Sequence, residues 1–239
     1  RLGLLDGFRF FCMMRRVDGK EPAEDDINYI SCTVWDDVSN FDAWKSGDAF
    51  KEAHGGGTIG GIAAMLVSTA RNTKGKPKPA MWEGILPVSG TAAPEATPGG
   101  WRTVVADGST TLEAEAFIAM NRFSVTEGGE AAFEARFAAR ESTLASFDGF
   151  KAFSLLRRDG SDPDGFTHST WSVWRDRAAF EVWQGSEQRA GKPGPPAASA
   201  PAGGKPAGGP PGGGKPPFTR KPVPTFYEGF LVLESAKGA

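Results

Sequence analysis

Apolar side chains in the second half of the chain follow two different periods. "FIAMNRFSV" (117–125) is a run of aromatic, apolar and β-prone residues bounded by "TEGGE", which predicts a strand. In residues 130–144, Phe133, Phe137 and Leu144 recur at helical spacing with charged residues between them, which predicts a helix. Three more stretches are strand-like: "GFKAFSLLRR", "HSTWSVW" and "FYEGFLVL". A second helix is predicted at "DRAAFEVWQGSE".

The predicted order is therefore strand, helix, strand, strand, helix, strand. That order is the split βαβ, or ferredoxin-like, arrangement of an α+β unit.

The same pattern occurs earlier in the chain, as an internal repeat. Three blocks match in the same order: "LLDGFRFFCMMRR" with "SFDGFKAFSLLRR", "TVWDDVSNFDAWKSGD" with "SVWRDRAAFEVWQGSE", and "KPKPAMWEGILPV" with "RKPVPTFYEGFLVL". A duplication of this kind predicts two copies of one unit. We expect the two to pair within the chain as a pseudo-dimer, in a protein that is monomeric.

The first copy is shorter than the second. It has no counterpart of the first strand and first helix, so that part is either removed or supplied in another way. The predicted organisation is an incomplete unit at 1–90, a linker at 91–115, and a complete unit at 116–239. Within the second unit, residues 191–224 are rich in Pro and Gly, and this composition predicts a disordered loop.

Composition narrows the classes of function. The 239 residues carry a net charge of −2, which does not favour nucleic acid as a partner. No run of eighteen apolar residues occurs, so no membrane span is expected. Two cysteines, Cys12 and Cys32, suit neither a disulfide framework nor a structural zinc site, which predicts an intracellular protein. The first residue is not Met, so the sequence does not decide between the cytoplasm and an organelle such as the chloroplast.

One helix of the first copy carries candidate chemistry. "FDAWKSGDAFKEAH" places Trp44 ten residues before His54, and three glycines follow. On a straight helix the two side chains would be separated by about 15 Å along the axis. Gly47 weakens the helix interior, and a kink there would bring both side chains over one wide, flat ligand. Histidine is a common axial ligand of heme iron.

Asn121 is the second candidate. On a strand it shares a face with Phe117, Ala119 and Phe123. An amide among apolar neighbours costs about 1–3 kcal/mol unless it is hydrogen-bonded, so such a position is a candidate for function.

These motifs resemble the antibiotic biosynthesis monooxygenase (ABM) superfamily of dimeric α+β barrels. The strand "AMNRF" and the helix "FDAWKSGDAFKEAH" are similar to its IsdG-type heme-degrading branch. The tandem arrangement is similar to that of the low-iron-induced heme oxygenases of green algae. The resemblance implies a heme-degrading monooxygenase in which heme is substrate and cofactor, with O2 and an external electron donor. It assigns iron ligation to His54, distortion of the macrocycle to Trp44, contact with an iron-bound oxygen species to Asn121, and heme binding also to Phe50.

The two copies differ at this motif. Alignment of Trp183 with Trp44 places Pro193 opposite His54, and Pro cannot ligate iron. We therefore expect one heme per chain, bound in the first copy. Two alternatives stay open: a heme-binding or heme-transfer module without turnover, and a cofactor-free ABM monooxygenase that acts on an aromatic metabolite.

The remaining tryptophan, histidine and arginine candidates are expected to have structural roles and not to bind a ligand. Trp183 is expected in the core, and His168 at the surface. The arginine pairs 15–16 and 157–158 end equivalent strands and are expected to be solvated, although they could meet heme propionates.

Overall fold

The computed structural model describes residues 2–17, 27–54, 63, 67, 71–75, 77–89, 111–139, 143–158, 165–186 and 218–235. Its seven strands are β1 (Phe8–Arg16), β2 (Tyr29–Trp35), β3 (Trp82–Ser89), β4 (Ala116–Phe123), β5 (Phe150–Arg158), β6 (His168–Trp174) and β7 (Val223–Glu234). Its α-helices are α1 (Val38–Ser46), α2 (Asp48–Ala53), α3 (Glu130–Ala138) and α4 (Arg177–Gln184).

All seven strands belong to one antiparallel sheet with the order β2-β1-β7-β4-β6-β5-β3. The four strands of the second unit are contiguous, in the order β7-β4-β6-β5. That is the ferredoxin-like arrangement, and the helices α3 and α4 occupy the predicted places in the chain. The predicted α+β fold is confirmed.

The last strand of each unit pairs with a strand of the other unit. Strand β7 pairs with β4 of its own unit and, on its other side, with β1 of the first unit. Strand β3 of the first unit pairs with β5 of the second. The shared sheet makes the two copies an intrachain pseudo-dimer, as the repeat predicted.

The sheet curls around an apolar interior. Phe10 on β1 and Trp171 on β6 have ring centroids 5.7 Å apart, although two other strands separate β1 from β6 in the sheet. Neighbouring strands of a flat sheet are about 4.8 Å apart, so only a curved sheet brings these rings into contact. Side chains of β2 and β5 pack on the same cluster: Ile30, Cys32, Val34, Ala152 and Leu156.

The opposite face of the sheet carries the helices of the second unit. Phe117 and Ala119 pack with Phe180 of α4, and Phe123 packs with Phe133 of α3. Strand β4 thus has alternate side chains in two apolar layers. No helix in the described parts of the chain is long and apolar enough to cross a membrane.

Backbone details recur at equivalent positions of the two copies. Gly7 and Gly149 both have a positive φ, and an added Cβ would meet Asn40 or Ala179, respectively, at under 3 Å. Leu86 and Leu231 are bulged residues with φ of 52° each. Sharing of two unusual conformations supports the internal repeat independently of side-chain similarity.

Two predicted boundaries differ from the structure. Helix α3 ends at Ala138, short of residue 144. The predicted disordered loop extended to residue 224, but Phe218 pairs with Val125 and stacks on Phe123. An aromatic anchor at the end of the low-complexity stretch explains this difference. The rest of that loop and the linker residues 91–110 lie outside the described residues.

The two cysteines lie opposite each other on β1 and β2 and are free thiols. Desolvation raises the pKa of the Cys32 thiol to about 11, and burial together with the neighbouring Cys32 raises that of Cys12 further. At pH 7 a thiol with that pKa is thiolate in about one molecule in 10,000, against about 3% for an ordinary cysteine.

We predict that neither thiol reacts quickly with an aromatic disulfide reagent at pH 7.5 in the native protein, whereas both react in urea. The folded state favours the protonated thiols, so their contribution to stability is present in full below the unfolded-state pKa of about 8.5. It is lost as the pH rises toward 11. A fast-reacting native thiol would contradict this assignment.

Candidate functional site

The helix that carries Trp44 and His54 is broken where the sequence predicted. Helix α1 ends at Ser46, and α2 begins at Asp48. Gly47 between them is extended, with φ −87° and ψ 172°, and its N–H donates to the carbonyl of Trp44. The break turns α2 back toward α1, so side chains ten residues apart can meet.

Trp44, Phe50 and His54 form one aromatic group. The ring of Phe50 stacks on the imidazole of His54 at a centroid distance of 3.9 Å and meets Trp44 edge-on at 4.9 Å. The rings of Trp44 and His54 are 6.3 Å apart. The structure therefore brings together the three residues that the resemblance assigned to heme.

The geometry of His54 fits an axial ligand. The residue closes α2, is exposed, and its Nδ1 lies 2.9 Å from the carbonyl oxygen of Phe50. A proton on Nδ1 donates to that carbonyl and leaves the lone pair on Nε2. A backbone acceptor of this kind is the usual means of fixing the tautomer of a metal-binding histidine.

Trp44 also belongs to a structural cluster. It packs on Trp35 with rings 5.4 Å apart and an interplanar angle of 31°. In the second unit, the matched rings of Trp183 and Trp174 have centroids 5.5 Å apart and an interplanar angle of 33°. Since the same arrangement occurs without a histidine, Trp44 supports its helix whether or not a ligand binds. The sequence has Arg189 and Pro193 at the positions aligned with Phe50 and His54, and both lie outside the described residues.

Asn121 lies in a different part of the molecule. It is on β4, on the face that packs against the helices of the second unit, with Thr170 and Pro224 as its strand partners. Its Oδ1 is buried and has no hydrogen-bond partner among the described residues. Trp44 and His54 belong to the helices of the first unit, so the structure does not bring Asn121 into their group. The unsatisfied amide oxygen is nevertheless the unusual feature that the sequence suggested.

His168 was predicted at the surface, and this is wrong: it is only 1% exposed. Its Nε2 lies 3.1 Å from a carboxylate oxygen of Glu134, and its Nδ1 lies 3.0 Å from Oγ1 of Thr167. The ring of Phe133 covers it at 4.9 Å. Both faces of β6 are buried, so the alternation along this strand does not by itself mark His168 as a core residue.

The arginine pairs were expected to be solvated, but Arg15 and Arg157 take part in ion pairs. Arg15 is partly buried and donates to Glu228 at 2.6 Å. Arg157 donates to Glu83 at 2.6 Å and to Glu134 at 3.1 Å, and these carboxylates raise its pKa. Both ion pairs join strands of different units: Arg15–Glu228 joins β1 with β7, and Arg157–Glu83 joins β5 with β3. They stabilise the junction of the units, and no described contact directs them toward His54.

Comparisons with known proteins agree with this architecture. No curated protein matches the sequence. A solved candidate monooxygenase from Fusobacterium nucleatum is 9% identical with a TM-score of 0.56, and the match covers 100% of this chain and 82% of that one. A candidate monooxygenase from Lactobacillus acidophilus is 9% identical with a TM-score of 0.47, and the match covers 98% of this chain and 81% of that one. An anthrone oxidase-like protein is 14% identical with a TM-score of 0.45, and the match covers 98% of this chain and 82% of that one.

At these identities only the similarity of fold to the Fusobacterium protein is informative. The family model "Antibiotic biosynthesis monooxygenase" matches residues 116–190, from β4 through α4 and just beyond it. Residues 116–190 of the second unit therefore match the ABM family, and the fold of the chain is similar to that of the Fusobacterium protein.

Proposed function

We propose that the chain binds one heme on the first unit and degrades it as a monooxygenase. The observation that carries the proposal is the group formed by Trp44, Phe50 and His54, in which the carbonyl of Phe50 can hold the Nδ1 proton of His54 and leave the lone pair on Nε2. The match of residues 116–190 to the antibiotic biosynthesis monooxygenase family supports an oxygenase. The preference for heme rests on the histidine.

Each residue of the group has a separate task. His54 would ligate the iron through Nε2, while the carbonyl of Phe50 holds the Nδ1 proton and fixes the plane of the ring. Phe50 supports one face of the imidazole. Trp44 is held by Trp35 and Phe41, so it cannot retreat easily when a macrocycle presses on it. A rigid aromatic side chain is suited to imposing a non-planar shape on a bound ring.

Bound heme would supply a redox-active iron that activates O2 with electrons from an external donor. The protein contributes positioning and a partly apolar surface. The break at Gly47 is central to this, because it sets the distance between the ligand His54 and the steric group Trp44.

One observation favours a second candidate, a heme-binding or heme-transfer module without turnover. Asn121, the residue assigned by resemblance to the oxygen species, lies on β4 of the other unit. If no other group takes its place beside His54, the site would hold heme without completing the reaction.

Titration with hemin, followed at the Soret band, tests the proposal. We expect a shifted band and a break at one equivalent. Ascorbate and O2, with a ferrous chelator and catalase present, should then bleach the band and release iron. A stable band would support the carrier, and no shift at all would overturn heme binding and leave the cofactor-free oxygenase. A break at two equivalents would place heme in both units.

We predict that Trp44→Phe keeps hemin affinity within about tenfold, or about 1.4 kcal/mol, but slows single-turnover decay of the Soret band. The smaller ring still fills part of the contact with Trp35 and Phe50, while it presses less on a macrocycle. Trp183→Phe is the matched control in the second unit and should leave the decay unchanged. Equal decay rates in wild-type and Trp44→Phe proteins would remove the steric role.

A further inference from the structure

The two cysteines of the chain face each other across neighbouring strands. Cys12 on β1 and Cys32 on β2 are direct partners in the antiparallel register, and opposite residues project from the same face of a sheet. Both are free thiols. Cys12 belongs to the apolar cluster inside the curled sheet and is fully buried, whereas Cys32 packs on that cluster and is partly exposed. The proposed heme chemistry uses neither thiol.

The backbone hydrogen bonds fix the spacing of this pair. The N–H of Arg16 donates to the carbonyl of Asn28, the residue opposite it. Hydrogen-bonded pairs recur at every second residue of an antiparallel ladder, so Cys12 and Cys32 also form a hydrogen-bonded pair. The Cα atoms of such a pair are about 5.5 Å apart, and the Cβ atoms are at the wide end of their range, also about 5.5 Å. A disulfide needs Cβ atoms about 3.5–4.5 Å apart, so the paired strands hold these thiols too far apart for one.

A metal ion bridges a wider gap than a disulfide bond does. Two metal–sulfur bonds of about 2.3 Å in a line separate the sulfur atoms by about 4.6 Å, whereas a disulfide separates them by about 2.05 Å. The additional reach of about 2.5 Å suits the wide spacing of Cys12 and Cys32.

The available ligands select the metal. The chain has no third cysteine, and among the described residues no three His, Cys, Asp or Glu side chains are grouped so that they could hold a metal ion. Structural zinc and iron–sulfur sites take about four such ligands. Thiolates and thioethers favour Cu(I), which accepts fewer ligands. A thioether is close by, because Met14 lies two residues along β1 from Cys12, is buried, and belongs to the same cluster.

We propose that Cys12 and Cys32 bind one Cu(I) ion as a pair of thiolates, with the thioether of Met14 as a weaker third ligand. Each S–H bond is replaced by an S–Cu bond. Cu⁺ and two neutral thiols therefore give a complex of charge −1 and two released protons, and no electron is transferred. The ion joins β1 to β2 inside the curled sheet. The site shares no residue with the group of Trp44, Phe50 and His54.

Titration of the full, reduced chain with Cu(I) under nitrogen, in competition with a chromophoric Cu(I) chelator, tests the proposal. We expect one bound equivalent, and X-ray absorption should show only sulfur neighbours of copper. Burial raises the pKa of both thiols, so both are protonated at neutral pH and binding releases two protons. The apparent affinity should therefore rise about 100-fold per pH unit between about pH 6 and 8. A rise of about tenfold, or nitrogen or oxygen neighbours, would overturn the pair of thiolates.

Variants test the named ligands. Cys12→Ala and Cys32→Ala should each lower the affinity for Cu(I) at least about 100-fold, and Met14→Leu should lower it several-fold. Met13→Leu is the matched control, because Met13 alternates to the other face of β1, and it should bind as wild type does. Urea unfolding shows whether each variant folds. Wild-type affinity in folded Cys32→Ala would refute the site, and wild-type affinity in Met14→Leu would refute the thioether ligand. If Cys12→Ala does not fold, the pH dependence and the sulfur neighbours of the wild-type protein still decide.

Discussion

Replacement of His54 by alanine is expected to abolish histidine ligation of added heme and to reduce hemin affinity by well over tenfold. The side chain is exposed at the end of α2, and its one described hydrogen bond is to the carbonyl of its own helix. Its removal should therefore change the free energy of unfolding by no more than about 0.5 kcal/mol. Soret absorption and electron paramagnetic resonance of the ferric complex measure the ligation.

Lys51→Ala is the matched control, because Lys51 is an exposed residue of the same short helix and pairs only with Asp48 nearby. It should bind hemin as wild type does. A His54→Ala protein with an unchanged spectrum would refute the assignment of the iron ligand. Loss of the spectrum in His168→Gln with retention in His54→Ala would place the ligand in the second unit.

Trp174→Ala is expected to cost about 3–5 kcal/mol of unfolding free energy, the range for loss of a large aromatic side chain from a core. Trp174 is fully buried, contacts Phe150, Phe180 and Trp183, and its indole N–H is hydrogen-bonded. Natural domains are stable by only about 5–15 kcal/mol, so the variant should be close to unfolding at 37 °C.

Trp35→Ala provides an internal comparison. Trp35 is only partly buried and its indole N–H has no hydrogen-bond partner in the described part of the chain, so we expect a loss of about 2 kcal/mol. Urea unfolding of both variants measures the difference, provided that the unfolding free energy falls with urea concentration at the same slope in both. Equal losses would mean that the two aromatic clusters are equally complete.

The sequence was sufficient for the architecture because the duplicated blocks carry it. Equivalent blocks fold alike down to the bulges at Leu86 and Leu231, so recognising the repeat amounted to recognising the fold. The helix break was also accessible, since Gly47 is a local weakness within an otherwise helical pattern. Local signals of this kind need no knowledge of distant contacts.

Positions decided by tertiary contacts were not accessible in the same way. His168 is buried because Glu134 and Phe133, on a helix more than thirty residues earlier, cover it. Phe218 stands next to a Pro- and Gly-rich stretch, and its contact with Phe123 depends on the course of the whole chain. The separation of Asn121 from His54 likewise follows from the assignment of strands to units, which composition does not reveal.

The pairing of the last strands across the units also affects the rate at which this chain folds. Arg15 on β1 pairs with Glu228 on β7, 213 residues away in sequence. Such distant pairing gives a high contact order, and folding of the first unit should be slow compared with that of helical proteins of similar size. During synthesis β1 can pair with β2 early, but its second neighbour, β7, emerges from the ribosome only after most of the chain. Its apolar face would be exposed for that time, and chaperones would have a longer period in which to bind the nascent first unit than the second.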